Sequence, residues 1–146
     1  MLLERGARRV FALDAGFGQL RGSLRLDPRV VDLERTNLAD AGRVLPDIEI
    51  GLVTLDLSYV SLATAVPELE DVRYALGADL VGLVKPMYEL GLAAPPEDPS
   101  TLDAALQHAL RGIERTGSWR VRGSVRSPVV GRRGAREWLV HAHHRR

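Results

Sequence analysis

No cysteine occurs in the chain, so disulfides, thiolate metal sites and cysteine nucleophiles are excluded. Lysine is nearly as scarce: of 20 lysines and arginines, only Lys85 is a lysine. Arginine would supply surface charge equally well. A lone lysine therefore reads either as a need for an amine, which can lose its proton when desolvated where a guanidinium effectively does not, or as a strand-end lysine left by chance in an arginine-rich composition. No apolar run approaches the ~18 residues that span a bilayer. The N-terminus, Met1-Leu2-Leu3-Glu4-Arg5-Gly6, lacks the apolar core of a signal peptide. A soluble, cytoplasmic protein without a membrane partner is the expectation. There is also no complete glycine-rich phosphate loop, because Gly16-Phe17-Gly18 is too short and follows an acid rather than preceding one.

What is present fits one globular domain over residues 1–146, with 45% apolar residues to build a moderate core. The net charge of +1 selects no partner. Its distribution is less neutral, since from Arg111 onward ten arginines stand against only Glu114 and Glu137. Such asymmetry can mark a nucleic-acid surface.

Along the chain, residues 2 to about 9 read as the last turns of a helix. Val10 to Ala15 is an apolar run that carries an acid, Asp14, and leads into Gly16 and Gly18, as a buried parallel strand delivers a carboxylate to a ligand edge. A short helix from Gly18 to Leu26 is stopped by Asp27-Pro28. Val30 to Glu34 reads as a second strand, and Ile50 to Asp56 as a third that again closes on an acid. Ser61 to Leu69 has helical character, and Ala78 to Val84 is the strand that delivers Lys85. A loop with three prolines, Gly91 to Pro99, precedes a helix expected to be capped by Ser100, answered by Asp103, and to run to about Arg115. Its Leu102, Leu106, Ala109, Leu110 and Ile113 recur at helical spacing. Two strand-like pieces, Trp119 to Val125 and Glu137 to His141, flank a glycine- and arginine-rich turn. Strands alternating with helices and then a hairpin indicate an α/β fold, mostly parallel with an antiparallel end.

In open α/β sheets ligands bind at the carboxyl ends of the strands, where Asp14, Asp56 and Lys85 all fall. An acid after an early strand, near glycines, suits the ribose hydroxyls of a nucleotide-like cofactor, although an exposed turn residue would look the same. Asp56 and Lys85 end strands that become neighbours if the short helix connects them. A carboxylate there can hold the amine and set its protonation state, as can an ordinary ion pair. The tail histidines His141, His143 and His144 include two that face the same way on a strand, but no acid or third fixed ligand accompanies them, so no metal site is assigned. Trp119 and Trp138 read as core or hairpin packing.

Four ordered stretches then carry a resemblance. They are Phe11-Ala12-Leu13-Asp14-Ala15-Gly16-Phe17-Gly18-Gln19-Leu20, Leu33-Glu34-Arg35-Thr36-Asn37, Leu55-Asp56-Leu57-Ser58-Tyr59-Val60-Ser61-Leu62 and Leu83-Val84-Lys85-Pro86-Met87-Tyr88-Glu89. Together they resemble the TlyA (hemolysin A) family, which is similar to FtsJ-type ribosomal RNA 2′-O-methyltransferases that use S-adenosylmethionine. Ser127-Pro128-Val129, Gly131, Gly134 and Glu137-Trp138-Leu139 resemble that family's closing hairpin.

The resemblance implies a Rossmann-like S-adenosylmethionine-dependent methyltransferase sheet and methylation of ribosomal RNA, with the RNA or a ribosomal subunit as partner. Asp14 and Gly16 would lie against the cofactor ribose, Thr36 and Asn37 near the adenine, and Asp56 on both the cofactor and catalytic sides. Asp56, Lys85 and Glu137 match three members of the family's Lys-Asp-Lys-Glu catalytic set, and no metal is required. Arg132, Arg133 and Arg136 are candidates for RNA contact.

The family's first strand, its Asp-x-Gly-x-x-x-Gly-Gly-Phe-Thr cofactor loop, its first catalytic lysine and its S4-type RNA-binding domain have no counterpart in the sequence. Met87 stands where the family usually has glutamine. The chain is accordingly expected to behave as a truncated, partial FtsJ-like domain with impaired activity. The alternatives are a catalytically inactive RNA- or protein-binding module, with a homodimer that closes its own sheet as one form of it, and a longer reading frame.

Overall fold

The computed structural model describes residues 1–145. The apolar runs form six strands: β1 (Val10–Asp14), β2 (Val30–Glu34), β3 (Ile50–Leu55), β4 (Tyr74–Val84), β5 (Trp119–Arg126) and β6 (Trp138–His144). They make two separate sheets. β1 and β2 pair in parallel, while the second sheet has the order β3-β4-β6-β5, with β3 parallel to β4 and β6 antiparallel to both of its neighbours. This is the mixed α/β arrangement the sequence indicates, parallel first and an antiparallel hairpin last. The chain divides into two compact units, Met1–Asp47 and the residues from Ile48 onward.

In the first unit the expected N-terminal helix is a single 3-10 turn, Leu3–Arg5, closed by Gly6 in the left-handed conformation, and the helix after β1 shrinks to α1 (Gly22–Arg25). A second short helix, α2 (Ala41–Val44), follows β2.

The second unit holds most of the core. Along β4 and β6, even-numbered residues such as Leu80, Val84, Val140 and Ala142 are fully buried, whereas odd-numbered ones stay half-exposed. That period of two means helices cover one face of the sheet. The cover consists of α3 (Leu62–Ala65), α4 (Pro86–Glu89) and α5 (Pro99–Arg115). α5 buries Leu102, Ala105, Ala109, Gly112 and Ile113, while Leu106 and Leu110 lie at the rim of that face. Each fully buried Leu or Ile stabilises the fold by roughly 1.5–3 kcal/mol. Trp119 and Trp138 are buried as expected. Among the described residues no helix is long and apolar enough to cross a membrane.

Further elements differ from the sequence reading, and β6 runs on to His144. α5 begins at Pro99 and is capped by Asp98, whose carboxylate accepts from the Thr101 N–H (2.8 Å); the Ser100 hydroxyl donates to the same oxygen. Proline favours the first helical position, which places the cap one residue before it. β4 begins four residues earlier than expected, because pairing continues past a register shift opposite β3 and past Gly77 at φ +68°.

Short α3 is anchored from three sides. Ser61 caps it. The buried Glu89 carboxylate accepts from the Leu62 N–H (2.5 Å) and meets His108 Nδ1 at 3.1 Å. Gly82 and Gly112 leave room for Leu62 and Ala63 on either side, since an added Cβ would lie 2.7 Å from Leu62 Cδ1 and 2.4 Å from Ala63 Cα respectively. Glu89→Ala should therefore cost about 2 kcal/mol by orphaning a buried donor, read as a lowered urea midpoint. An unchanged midpoint would contradict this role.

Candidate functional site

Three strand ends of the second unit converge. Asp56 follows β3 directly, and Lys85 follows β4 as the residue that precedes α4, with Pro86 blocking extension of the strand. β6 starts at Trp138 opposite Val84, so Glu137 stands just outside the ladder beside Lys85. The Lys85 Nζ lies 2.6 Å from Asp56 Oδ1, with the lysine side chain 20% exposed and the aspartate 73% exposed. The amine is thus sheltered, while its partner faces solvent.

Burial raises the Glu137 carboxyl above its ordinary range; the Lys85 charge pulls it back and the Asp56 charge pushes it up again. All three groups therefore feel one another. Gly131 lets the chain pack closely on this carboxylate, because an added Cβ there would lie 2.5 Å from Glu137 Oε1. Asp56, Lys85 and Glu137, which the sequence resemblance places in one set, are brought together.

Asp14, Gly16, Thr36 and Asn37 belong to the first unit. The Asp14 Oδ1 accepts from the Gly16 N–H (2.7 Å), and the Asp14 carbonyl accepts from the Thr36 N–H (3.0 Å). Asp14 is exposed at its strand end, and Asn37 is exposed before a 3-10 turn without capping it through its side chain. An exposed carboxylate beside a glycine suits a pair of vicinal hydroxyls, and a free carboxamide suits a purine edge. The residues present fit the nucleoside part of S-adenosylmethionine.

Sequence reasoning missed Glu34. Its carboxylate accepts from the N–H groups of Gly18 (2.9 Å), Gln19 (2.5 Å) and Leu20 (2.9 Å), and pairs with Arg25. Those backbone bonds, Leu20 first, hold it below the usual carboxylate range. It shapes the loop after Asp14. Glu34 ends β2 as Asp14 ends β1, and that shared pattern was the available signal.

Tyr59 was missed as well. It holds φ +69°, is 89% exposed, and stands 5.5 Å (centroid to centroid) from the Tyr88 ring on α4, three residues after Lys85. A non-glycine residue at positive φ is uncommon, and here it presents an exposed aromatic ring against Tyr88. Arg132, Arg133 and Arg136 are all exposed on the turn leading to Glu137, with Arg133 at φ +58°. The turn that leads to Glu137 is therefore basic.

A family model described as FtsJ-like methyltransferase matches residues 1–144. The chain is 39% identical over 145 residues to the 16S/23S rRNA (cytidine-2′-O)-methyltransferase TlyA of Mycobacterium tuberculosis, covering 96% of this chain and 53% of that protein. It is 31% identical over 150 residues to Hemolysin A of Brachyspira hyodysenteriae, covering 96% of this chain and 60% of that protein. A crystal structure of a hemolysin-named protein from Lactococcus lactis superposes with TM-score 0.88 at 28% identity, covering 97% of this chain and 70% of that one. The chain spans about half the length of the curated relatives it matches.

Proposed function

The chain belongs to the FtsJ-like methyltransferase family, and from that premise we propose that it carries the acceptor side of an S-adenosylmethionine-dependent ribosomal RNA 2′-O-methyltransferase. The observation that carries this reading is the sheltered Lys85 amine 2.6 Å from Asp56, with Glu137 beside it. S-adenosylmethionine, when bound, supplies an electrophilic methyl group on a sulfonium sulfur.

Lys85 Nζ orients the ribose 2′-hydroxyl and assists loss of its proton, a role that contributes roughly 10²–10⁴ in rate when the group is well placed. Asp56 fixes the amine, and Glu137, with its raised proton affinity, tunes the charge there. Alignment of hydroxyl and methyl supplies much of the remaining acceleration. Asp14, Gly16, Thr36 and Asn37 hold the nucleoside. The relative from Mycobacterium tuberculosis is an rRNA (cytidine-2′-O)-methyltransferase, which agrees with a site that offers an amine to a hydroxyl rather than to a base.

The direct test incubates the protein that carries this chain with ribosomal RNA and methyl-labelled S-adenosylmethionine. Label in the RNA is expected, and its absence from protein that binds both partners would sink the reading. The 146 residues contain no Asp-x-Gly-x-x-x-Gly-Gly-Phe-Thr stretch, so calorimetry on these residues alone should show S-adenosylmethionine affinity weaker than micromolar. Arg132, Arg133 and Arg136 position RNA through its phosphates. Replacing all three with alanine should weaken binding across sequences and lower the slope of log K against log salt by about 2. An unchanged slope would remove these residues from the interface.

A further inference from the structure

The odd-numbered, uncovered face of the second sheet holds a cluster that lies apart from the methyl-transfer site. Asp79 on β4 pairs directly with His143 on β6, and His141 is the diagonal neighbour two residues along the same face. The His141 Nε2 lies 2.7 Å from Asp79 Oδ1, and the His143 Nδ1 lies 2.6 Å from the same oxygen. The His143 Nδ1 is shut off from solvent yet makes no hydrogen bond, so its short approach to the carboxylate is misdirected for one. The two imidazole rings stand 4.8 Å apart, close to perpendicular. One donor atom from each of the three residues lies within 4.8 Å of the others.

We propose that Asp79, His141 and His143 form a binding site for a divalent first-row transition ion of the zinc type. Two imidazoles and one carboxylate are a donor set for zinc, nickel or copper, whereas magnesium and calcium prefer all-oxygen sites. Ligand atoms around tetrahedral zinc stand about 3.3 Å apart, given bonds of about 2.0–2.2 Å. The two carboxylate–imidazole separations, 2.7 and 2.6 Å, are shorter than this, and rotation of the Asp79 carboxylate, which has a broad terminal torsion, opens the space. The ion gives His143 Nδ1 the partner it lacks.

The side chains are each between 40% and 45% exposed, so an ion reaches them without opening the core. Three protein ligands leave a fourth position for water. Neither Lys85 nor Glu137 shares the cluster: Asp79 precedes Lys85 by six residues, about 20 Å along an extended strand. The bound ion ties β4 to β6 across the middle of the sheet and adds stability in proportion to its occupancy. Within the sequence the acid nearest these histidines is Glu137, which belongs with Lys85. The antiparallel ladder brings Asp79 in from 62 residues away.

The test is a zinc titration of the untagged protein by calorimetry, with cobalt as a spectroscopic probe. One equivalent of zinc should bind, cobalt should give the intense visible bands of a tetrahedral site, and zinc should raise the melting temperature. Loss of a partner outside the coordination shell typically weakens a site ~10–100-fold, so Asp79→Asn and His141→Gln should each weaken zinc binding by at least about tenfold. His144→Gln should leave it unchanged, because His144 points to the opposite face and packs against Tyr74 and Trp119. Absence of stoichiometric binding would overturn the proposal. So would affinity that depends on His144 but not on Asp79, which would mark adventitious chelation by the tail.

Discussion

Lys85→Ala should lower methyl transfer to ribosomal RNA at least about a hundredfold, the scale set by loss of a positioned proton-transfer group. S-adenosylmethionine affinity should stay nearly unchanged, because Asp14, Gly16, Thr36 and Asn37, proposed above to hold the nucleoside, lie in the other unit of the chain. Stability should move by no more than about 1 kcal/mol: the ion pair it removes has an aspartate that is mostly exposed, and such pairs contribute little. The combination separates a chemical role from a folding role. Lys85→Arg is the sharper variant. It keeps the charge, but a guanidinium effectively never loses its proton and presents a planar fork in place of a compact amine. If the amine itself is needed, Lys85→Arg should be nearly as inactive as the alanine variant. Retained methylation by Lys85→Ala would refute the catalytic assignment.

Gly112→Val should destabilise the protein by about 3 kcal/mol or more, and even Gly112→Ala should destabilise it. The sign is informative, since replacing glycine by alanine inside a helix ordinarily stabilises by about 0.5–1 kcal/mol. Here a Cβ would stand 2.3 Å from Ala63 Cβ and 2.4 Å from its Cα, well inside the ~3.5–4.0 Å of favourable carbon contacts. One of those atoms is backbone, so rotamer changes give no relief and α3 must move away from α5. Overpacking of this kind costs about 1–3 kcal/mol and sometimes more. Because α3 follows the loop that begins at Asp56, the displacement should also slow methyl transfer by the folded fraction. Urea unfolding checks the first effect. A raised midpoint for Gly112→Ala would show that the two helices cross less closely than described.

The chemistry that is local in sequence was legible, and the chemistry that depends on pairing was not. Asp14, Asp56 and Lys85 each close an apolar run, and a strand-end position can be read without knowing the strand's neighbours. Glu137 has no such local mark. Its place beside Lys85 follows from the Trp138 to Val84 pairing, and only the family resemblance pointed to it. Asp79 illustrates the same limit, being a mid-strand acid whose partners are 62 and 64 residues away. Gly112 and Glu89 lay in stretches read as helix or motif, yet their roles arise from contact with α3, which periodicity does not report. The displaced cap of α5 is a different case. Asp98, Pro99 and Ser100 stand in a row, and giving Pro99 its usual first-turn position would have identified Asp98.

Lys85, with Asp56 and Glu137, is proposed to direct a methyl group to a ribose hydroxyl. The most direct measurement digests ribosomal RNA, methylated by the protein that carries this chain, to nucleosides and identifies the modified one by mass spectrometry. The expected product is a nucleoside that carries its methyl on the 2′-oxygen and that disappears with Lys85→Ala. A methyl group found on the base, or a 2′-O-methyl nucleoside that persists in the variant, would contradict it.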